Sequence, residues 1–120
     1  MMSDPYANPD FEARITILTA DQGGRQQPPH NYIRWDLGYA NAEDPNALYM
    51  IWPVFLDEQG QPITKGIPLV GTYAAHMHIV VQEMLPFHKT QIAVGTRFNC
   101  HEGSHVVATG EVTRLLALDS

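Results

Sequence analysis

The amino-acid sequence predicts an all-β fold of about six short strands, arranged as a closed barrel or a sandwich. Segments in which apolar and polar residues alternate recur along the 120 residues, and turns containing Gly, Asn or Asp separate them. No segment keeps the 3.6-residue period of a helix over three turns. A chain of this length can bury a core of its own, so one domain accounts for it.

The first strand is predicted to begin at Phe11. Residues 1–10 hold two Pro and two Asp without periodicity, which indicates a flexible leader, and residues 11–120 form the single predicted domain. A turn at residues 21–24 ends the first strand, because its two Gly can adopt positive φ angles. Every second position of the strand is apolar and is predicted to face the core: Phe11, Ala13, Ile15 and Ile17.

Two middle strands are predicted from aromatic and β-branched residues. The first covers residues 32–37 and is followed by a polar loop at 38–47. The second covers residues 48–56 and contains Pro53. Because Pro cannot donate a backbone hydrogen bond to a neighbouring strand, this position predicts an edge or a bulge.

Three further strands complete the set. Residues 72–82 alternate between apolar and other side chains. Residues 97–101 and 106–116 form a closing pair, joined by a tight hairpin at Glu102-Gly103-Ser104. We expect this pair to bury Phe98 and Cys100 and to turn the intervening side chains to solvent: Arg97, Asn99 and His101.

The composition is that of an ordinary globular domain, with 44% hydrophobic and 17% charged residues. The formal net charge of −6 repels phosphate backbones and anionic lipids. The lone Cys100 cannot form an internal disulfide, and residues 1–10 lack the basic start and apolar core of a signal peptide. A cytoplasmic location is therefore expected, and no apolar run is long enough to span a membrane.

Two segments resemble the C-terminal domain of bacterial elongation factor Tu. The strand at residues 11–18 and its Asp21-Gln22-Gly23-Gly24-Arg25 turn are similar to the opening strand and Gly-Gly-Arg turn of the family. Gly95-Thr96-Arg97-Phe98, Glu102-Gly103 and the run from Val107 to Gly110-Glu111-Val112 are similar to its closing hairpin. Both segments occur in the family's order, and the resemblance implies a single six-stranded closed antiparallel β-barrel.

The resemblance also implies a function by contact rather than by catalysis. In the family this domain contacts aminoacyl-tRNA and the nucleotide-exchange factor, while GTP binds to a separate domain. We therefore expect a non-catalytic, translation-related binding module with a protein partner and no cofactor. The expected contact surface comprises the two family-like turns and their flanking residues: Gly23, Gly24, Arg25, Arg97, His101, Glu102, Gly103 and His105.

RNA binding is the first alternative, and the charges disfavour it. Of the positions that face RNA in the family, Arg25 and Arg97 keep their charge, whereas His101 and His105 replace Arg. Mostly neutral imidazoles make weaker contacts with phosphate than permanently charged guanidinium groups. The sequence has no Gly-x-x-x-x-Gly-Lys-Ser/Thr segment, so no GTP binding is expected.

A metal-dependent enzyme is the second alternative. His76 and His78 are expected on one face of a strand, and Glu83 follows them. With Gly71 upstream, the spacing is similar to the first motif of cupins, Gly-x5-His-x-His-x3-4-Glu, although the Gly is one residue too close and no second cupin motif follows. Because a catalytic metal needs a third protein ligand, we expect a solvated strand face here and no bound metal.

Aromatic residues concentrate in the middle of the chain, which departs from the family. Large aromatic side chains fill barrel interiors, and Tyr and Trp also anchor protein interfaces. The middle of the chain therefore offers either core residues or an exposed recognition patch: Trp35, Tyr39, Tyr49, Trp52, Phe55 and Tyr73.

Overall fold

Six antiparallel strands and one short helix make up the chain in the computed structural model, which describes residues 6–119. The helix α1 spans Leu85–Gln91. The strands pair in the order β1-β4-β3-β2-β5-β6, and β6 returns to β1 to close the barrel. The predicted six-stranded closed antiparallel barrel is confirmed. Its strands are β1 (Phe11–Ile17), β2 (Trp35–Tyr39), β3 (Tyr49–Phe55), β4 (Thr72–Ile79), β5 (Arg97–Glu102) and β6 (His105–Leu115).

Strand alternation decides which side chains fill the barrel. The four apolar residues predicted to face inward from β1 are all buried. On β5, Phe98 and Cys100 are buried and Arg97 is exposed, as the register predicted, while Asn99 and His101 are half-buried. Burial raises the pKa of the Cys100 thiol, so Cys100 is a packed small hydrophobe and not a thiolate nucleophile.

Strand β2 begins at Trp35, later than predicted, because the buried side chain of Asn31 orders the preceding segment. The Asn31 Nδ2 donates to the carbonyls of Phe55 and Ile63 at 3.0 and 2.8 Å. Its Oδ1 accepts from the backbone N–H groups of Tyr32 and Phe55 at 3.0 and 2.8 Å. Tyr32 adopts a left-handed φ of 69°, which a strand does not allow. These contacts join residues distant in sequence, so local propensity could not indicate them.

The strand also continues further than predicted, through Gly38 and Tyr39. A Cβ atom at Gly38 would lie 3.1 Å from both His101 Nε2 and Leu48 Cδ2. Glycine therefore lets these two side chains pack closely over β2. The expected polar loop is correspondingly shorter, and it begins after Tyr39.

Pro53 lies within β3, where only one neighbouring strand flanks it. It is paired with Met77 on β4. The pairing of β3 with β2 covers only Tyr49 to Ile51, so Pro53 lies beyond the end of β2. Proline is tolerated there because no strand on that side needs a hydrogen bond from its backbone nitrogen.

The hairpin between β5 and β6 is as tight as predicted. Glu102 is paired with His105, which leaves two residues in the turn. Gly103 has a positive φ of 61°, as the first central position of a type II′ turn requires. Glycine adopts this conformation without steric cost.

Residues 6–10 lie against β4, whereas residues 1–5, the other half of the expected flexible leader, are outside the described residues. The Asp10 N–H donates to the Met77 carbonyl at 2.8 Å, and Asp10 Oδ2 accepts from the Ile79 N–H at 2.7 Å. Burial raises the pKa of Asp10, and the hydrogen bond from Ile79 and the nearby His78 oppose that shift.

Helix α1 was not predicted, because its seven residues are too few to show a helical period over three turns. It packs against the barrel through His88, which is buried and shares a 2.6 Å hydrogen bond with the Tyr39 hydroxyl. Burial lowers the pKa of His88, so the imidazole is neutral at neutral pH. Within residues 6–119, no helix is both long enough and apolar enough to cross a membrane.

The buried His88 predicts a pH dependence of stability. The unfolded chain protonates this imidazole below about pH 6.5, while the folded chain resists protonation until lower pH. The contribution of His88 is therefore complete above pH 6.5 and is lost as the pH falls. Urea melts between pH 7.5 and 5.5 should show a steeper loss of unfolding free energy for the native chain than for His88→Asn, which cannot titrate. Equal pH slopes for the two proteins would contradict the buried neutral imidazole.

Candidate binding surface

Barrel closure brings the two turns predicted to form a contact surface side by side. Strand β1 pairs with β6 up to Ile17 and Ala108, and the Leu18 N–H then donates to the Val107 carbonyl at 3.0 Å. The turn that follows β1 consequently lies beside the β5–β6 hairpin. Direct contact joins them, since His105 Nε2 hydrogen-bonds to the Gly23 carbonyl.

The two glycines of the first turn are required for different structural reasons. Gly23 has a φ of 89° and ends a short 3-10 turn, Ala20–Gln22, in the left-handed conformation. Gly24 is buried, and a Cβ atom there would lie 2.3 Å from the Leu18 carbonyl oxygen. Side chains larger than hydrogen would therefore push the turn away from the end of β1.

Glu102 joins the first turn, the hairpin and the barrel core. Its Oε2 accepts a 3.0 Å hydrogen bond from the Trp35 indole N–H, and Trp35 is buried. The same oxygen lies 3.3 Å from Arg25 Nε. The carboxylate thus holds Arg25 against the hairpin and satisfies a buried donor.

Two of the predicted surface residues lie apart from this arrangement. Arg97 is at the opposite end of β5 from Glu102, about 17 Å along an extended strand. Its Nη2 lies 3.4 Å from a Glu111 carboxylate that also contacts Arg14 at 3.6 Å. His101 packs over Gly38, and its buried Nδ1 has no hydrogen-bond partner in the described part of the chain. The structure therefore groups six of the eight predicted residues: Gly23, Gly24, Arg25, Glu102, Gly103 and His105.

An apolar cleft of about 180 Å³ opens beside Arg25. Its walls are the end of β1, the loop at residues 25–29 and the segment before β4. The Leu69 N–H donates to the Pro29 carbonyl at 2.8 Å, which ties the last two walls together. Apolar side chains dominate the lining: Ile17, Leu18, Pro29, Leu69 and Val70.

A second cleft, of about 340 Å³, lies on the other side of the same loop and is basic. Arg25, Gln27 and Pro28 line both clefts, so the loop is the wall between them. The second cleft adds the exposed side chains of His30 and Lys65. We call the two clefts together the binding face.

Sequence reasoning missed the part of the binding face that comes from residues 65–71. Val70 is 64% exposed and Ile67 is 49% exposed, two of the large hydrophobic side chains that the described chain leaves in water. Exposed apolar residues next to a cleft are typical of contact sites. The signal was present as apolar residues in a segment bounded by Pro and Gly, but only the fold places that segment beside Arg25.

The histidines of the cupin-like alternative are engaged in other contacts. The two ring nitrogens of His78 lie 3.0 Å from the Trp52 carbonyl and 2.9 Å from the Tyr6 carbonyl. The sequence predicted a solvated strand face here, but His78 is buried. His76 Nε2 lies 3.3 Å from Glu12 Oε1, and Glu83 is exposed in a separate 3-10 turn, Gln82–Met84. Among residues 6–119, no three His, Cys, Asp or Glu side chains are grouped to hold a metal ion.

The middle aromatic residues divide between core and partly exposed positions. Trp35 and Phe55 are buried and meet edge to face, with ring centroids 5.9 Å apart. Tyr49 and Trp52 are only half-buried. Tyr39 is buried as well and Tyr73 is half-buried, so three of the six residues fill the barrel and three reach its surface.

No protein-family model matches the chain. The closed barrel and the geometry of the binding face therefore carry the functional argument.

The position of Glu102 predicts that removing its carboxylate destabilises the barrel. Glu102→Ala leaves the buried Trp35 N–H without its acceptor, which should cost about 1 to 3 kcal/mol of unfolding free energy. Glu102→Gln keeps an acceptor oxygen and should cost less. Glu58→Ala, in an exposed turn, is the control and should change stability by less than about 0.5 kcal/mol. Denaturant melts that rank Glu102→Ala with Glu58→Ala would contradict this role.

Proposed function

We propose that the chain is a non-catalytic binding module of the elongation factor Tu C-terminal-domain type, which binds a segment of another protein through the binding face. The family-like turns identified in the sequence support the family, and the closed antiparallel barrel agrees with it. The observation that carries the function is the pair of clefts on either side of the loop at residues 25–29.

The chemistry of the two clefts selects the partner. An apolar cleft of about 180 Å³ has room for one aliphatic or aromatic side chain. The adjoining cleft presents Lys65, whose exposed charge favours carboxylates, together with His30 and the Glu102-paired Arg25. The fitting ligand is an extended peptide segment with an apolar side chain next to acidic residues.

The geometry of the loop favours binding without a large ordering cost. Pro28 and Pro29 restrict the backbone, and the hydrogen bond from Leu69 fixes the loop against its neighbour. Arg25 is held by Glu102 before a ligand arrives. A face that is already ordered loses less conformational entropy on binding.

RNA binding has less support than protein binding. Arg25 contacts Glu102 at one end of β5 at 3.3 Å, whereas Arg97 lies at the other end of that strand and is paired with Glu111 at 3.4 Å. Two separated and partly neutralised charges release few counterions, and the net charge of −6 opposes the approach of RNA. The cytoplasmic location expected from the composition stays a prediction.

Selection from a phage library of random ten-residue peptides tests the proposal. Selected peptides should carry Asp or Glu next to Leu, Ile, Phe or Trp. Val70→Asp should weaken binding of these peptides about tenfold or more, because it places a negative charge, which repels the acidic peptide, in the apolar cleft. Lys65→Glu should have a similar effect, because it reverses a charge in the basic cleft.

Val94→Asp is the matched control. Val94 is 67% exposed and lines neither cleft, so its substitution adds the same charge elsewhere and should leave affinity unchanged. Selection of basic peptides, or equal loss of binding in Val94→Asp and Val70→Asp, would refute the proposed face. Circular dichroism of each variant verifies that the barrel is intact.

A further inference from the structure

A separate cavity of about 490 Å³ opens between α1 and the loop that joins β2 to β3. It lies at the end of the β2–β5 ladder where Tyr39 is paired with Phe98, away from the hairpin end that carries the binding face. Its volume is within the range of small-molecule sites. The chemical character of its lining residues differs from that of the binding face.

Aromatic rings form one side of this cavity. The ring centroid of Tyr49 lies 5.2 Å from that of Phe87 and 6.1 Å from that of Tyr39. The Tyr39 and Phe87 centroids are 6.4 Å apart. Three rings from β2, β3 and α1 thus meet at a single lining surface.

Acidic and amide side chains form the other side. Glu43 and Asp44 lie in the exposed β2–β3 loop, and Asn41 and Gln91 add neutral polar groups. Asp44 Oδ1 accepts a 2.9 Å hydrogen bond from the Asn46 N–H, which fixes the carboxylate in a local turn. No Lys or Arg of the described chain lines the cavity.

The support behind the rings is rigid and uncharged. The Tyr39 hydroxyl is hydrogen-bonded to His88 Nδ1 at 2.6 Å, which holds the Tyr39 ring in place. Burial lowers the pKa of His88 and raises that of Tyr39, so both groups are neutral at neutral pH. No positive charge from this pair repels a cation at the rings.

We propose that this cavity binds an organic ammonium group. The faces of aromatic rings attract cations, and quaternary ammonium groups are the ligands that aromatic cages recognise. Two carboxylates add Coulomb attraction at the same opening. A neutral apolar ligand would leave the carboxylates without a role, and an anion would be repelled by them.

Choline and its neutral isostere 3,3-dimethylbutan-1-ol separate charge from shape. The two molecules have nearly the same volume and differ in the positive nitrogen. In NMR titrations at constant ionic strength, choline should bind at least about tenfold more tightly and should shift resonances of Tyr49 and Phe87. Equal affinities, or shifts confined to other parts of the barrel, would overturn the proposal.

Two substitutions test the aromatic and the acidic walls. Tyr49→Leu keeps apolar volume and removes a ring face, and it should weaken choline binding about fivefold or more. Glu43→Gln, at an exposed position that should not affect folding, should weaken binding about twofold to fivefold. Glu58→Gln makes the same change in net charge away from the cavity and should have no effect. Equal behaviour of Glu43→Gln and Glu58→Gln would overturn the site.

The natural source of the ammonium group can be distinguished in the same assay. A short peptide carrying trimethyl-lysine presents the group on a protein side chain, and free choline presents it on a small molecule. Tighter binding of the peptide would assign the cavity to a protein ligand, and tighter binding of choline would assign it to a small molecule. Failure of both to bind would overturn the proposal.

Discussion

Strand β1 is hydrogen-bonded to β4 on one side and to β6 on the other, and this double pairing closes the barrel. Ile15 is paired with Tyr73 on β4 and with Gly110 on β6. A Cβ atom at Gly110 would lie 2.4 Å from Phe98 Cζ and 2.8 Å from Ile15 Cδ1. Closure with these large side chains inside therefore depends on a glycine at this position, in the segment that resembles the family's closing hairpin.

Barrel closure also determines where the two proposed binding sites lie. It places the turn after β1 against the β5–β6 hairpin, so that Glu102 can hold Arg25 and Trp35 together. At the other end of the β2–β5 ladder, Tyr39 meets α1 through His88. The two proposed sites consequently have opposite character: a basic and apolar face near the hairpin, and an acidic and aromatic cavity near the helix. A chain with a net charge of −6 can in this way offer local surfaces for ligands of either sign.

The local sequence pattern was sufficient to predict the six strands, but it could not predict the contacts between segments that are distant in sequence. Period-two alternation fixed the inward face of β1 and β5, because one face of each strand must be buried. It could not reveal the Asn31 hydrogen bonds that delay β2, the burial of His78 beneath Tyr6, or the seven-residue helix. Closure joins the two turns of the predicted surface, whereas Arg97 lies at the opposite end of β5 from Glu102, and the contact role of this surface stays a prediction. Lys65 and Val70 could be assigned to the binding face only after the fold had placed them beside Arg25.

Backbone NOEs of β1 measured by NMR test the closed barrel most directly. The pairing predicts cross-strand NOEs from β1 to β4, around Ile15 and Tyr73, and from β1 to β6, around Ile15 and Gly110. Both sets should be present in the same sample, with amide protons of β1 protected from exchange on both sides. NOEs to β4 alone, with none between β1 and β6, would show an open sheet. An open sheet would separate the turn after β1 from the hairpin and remove the basis of the binding face.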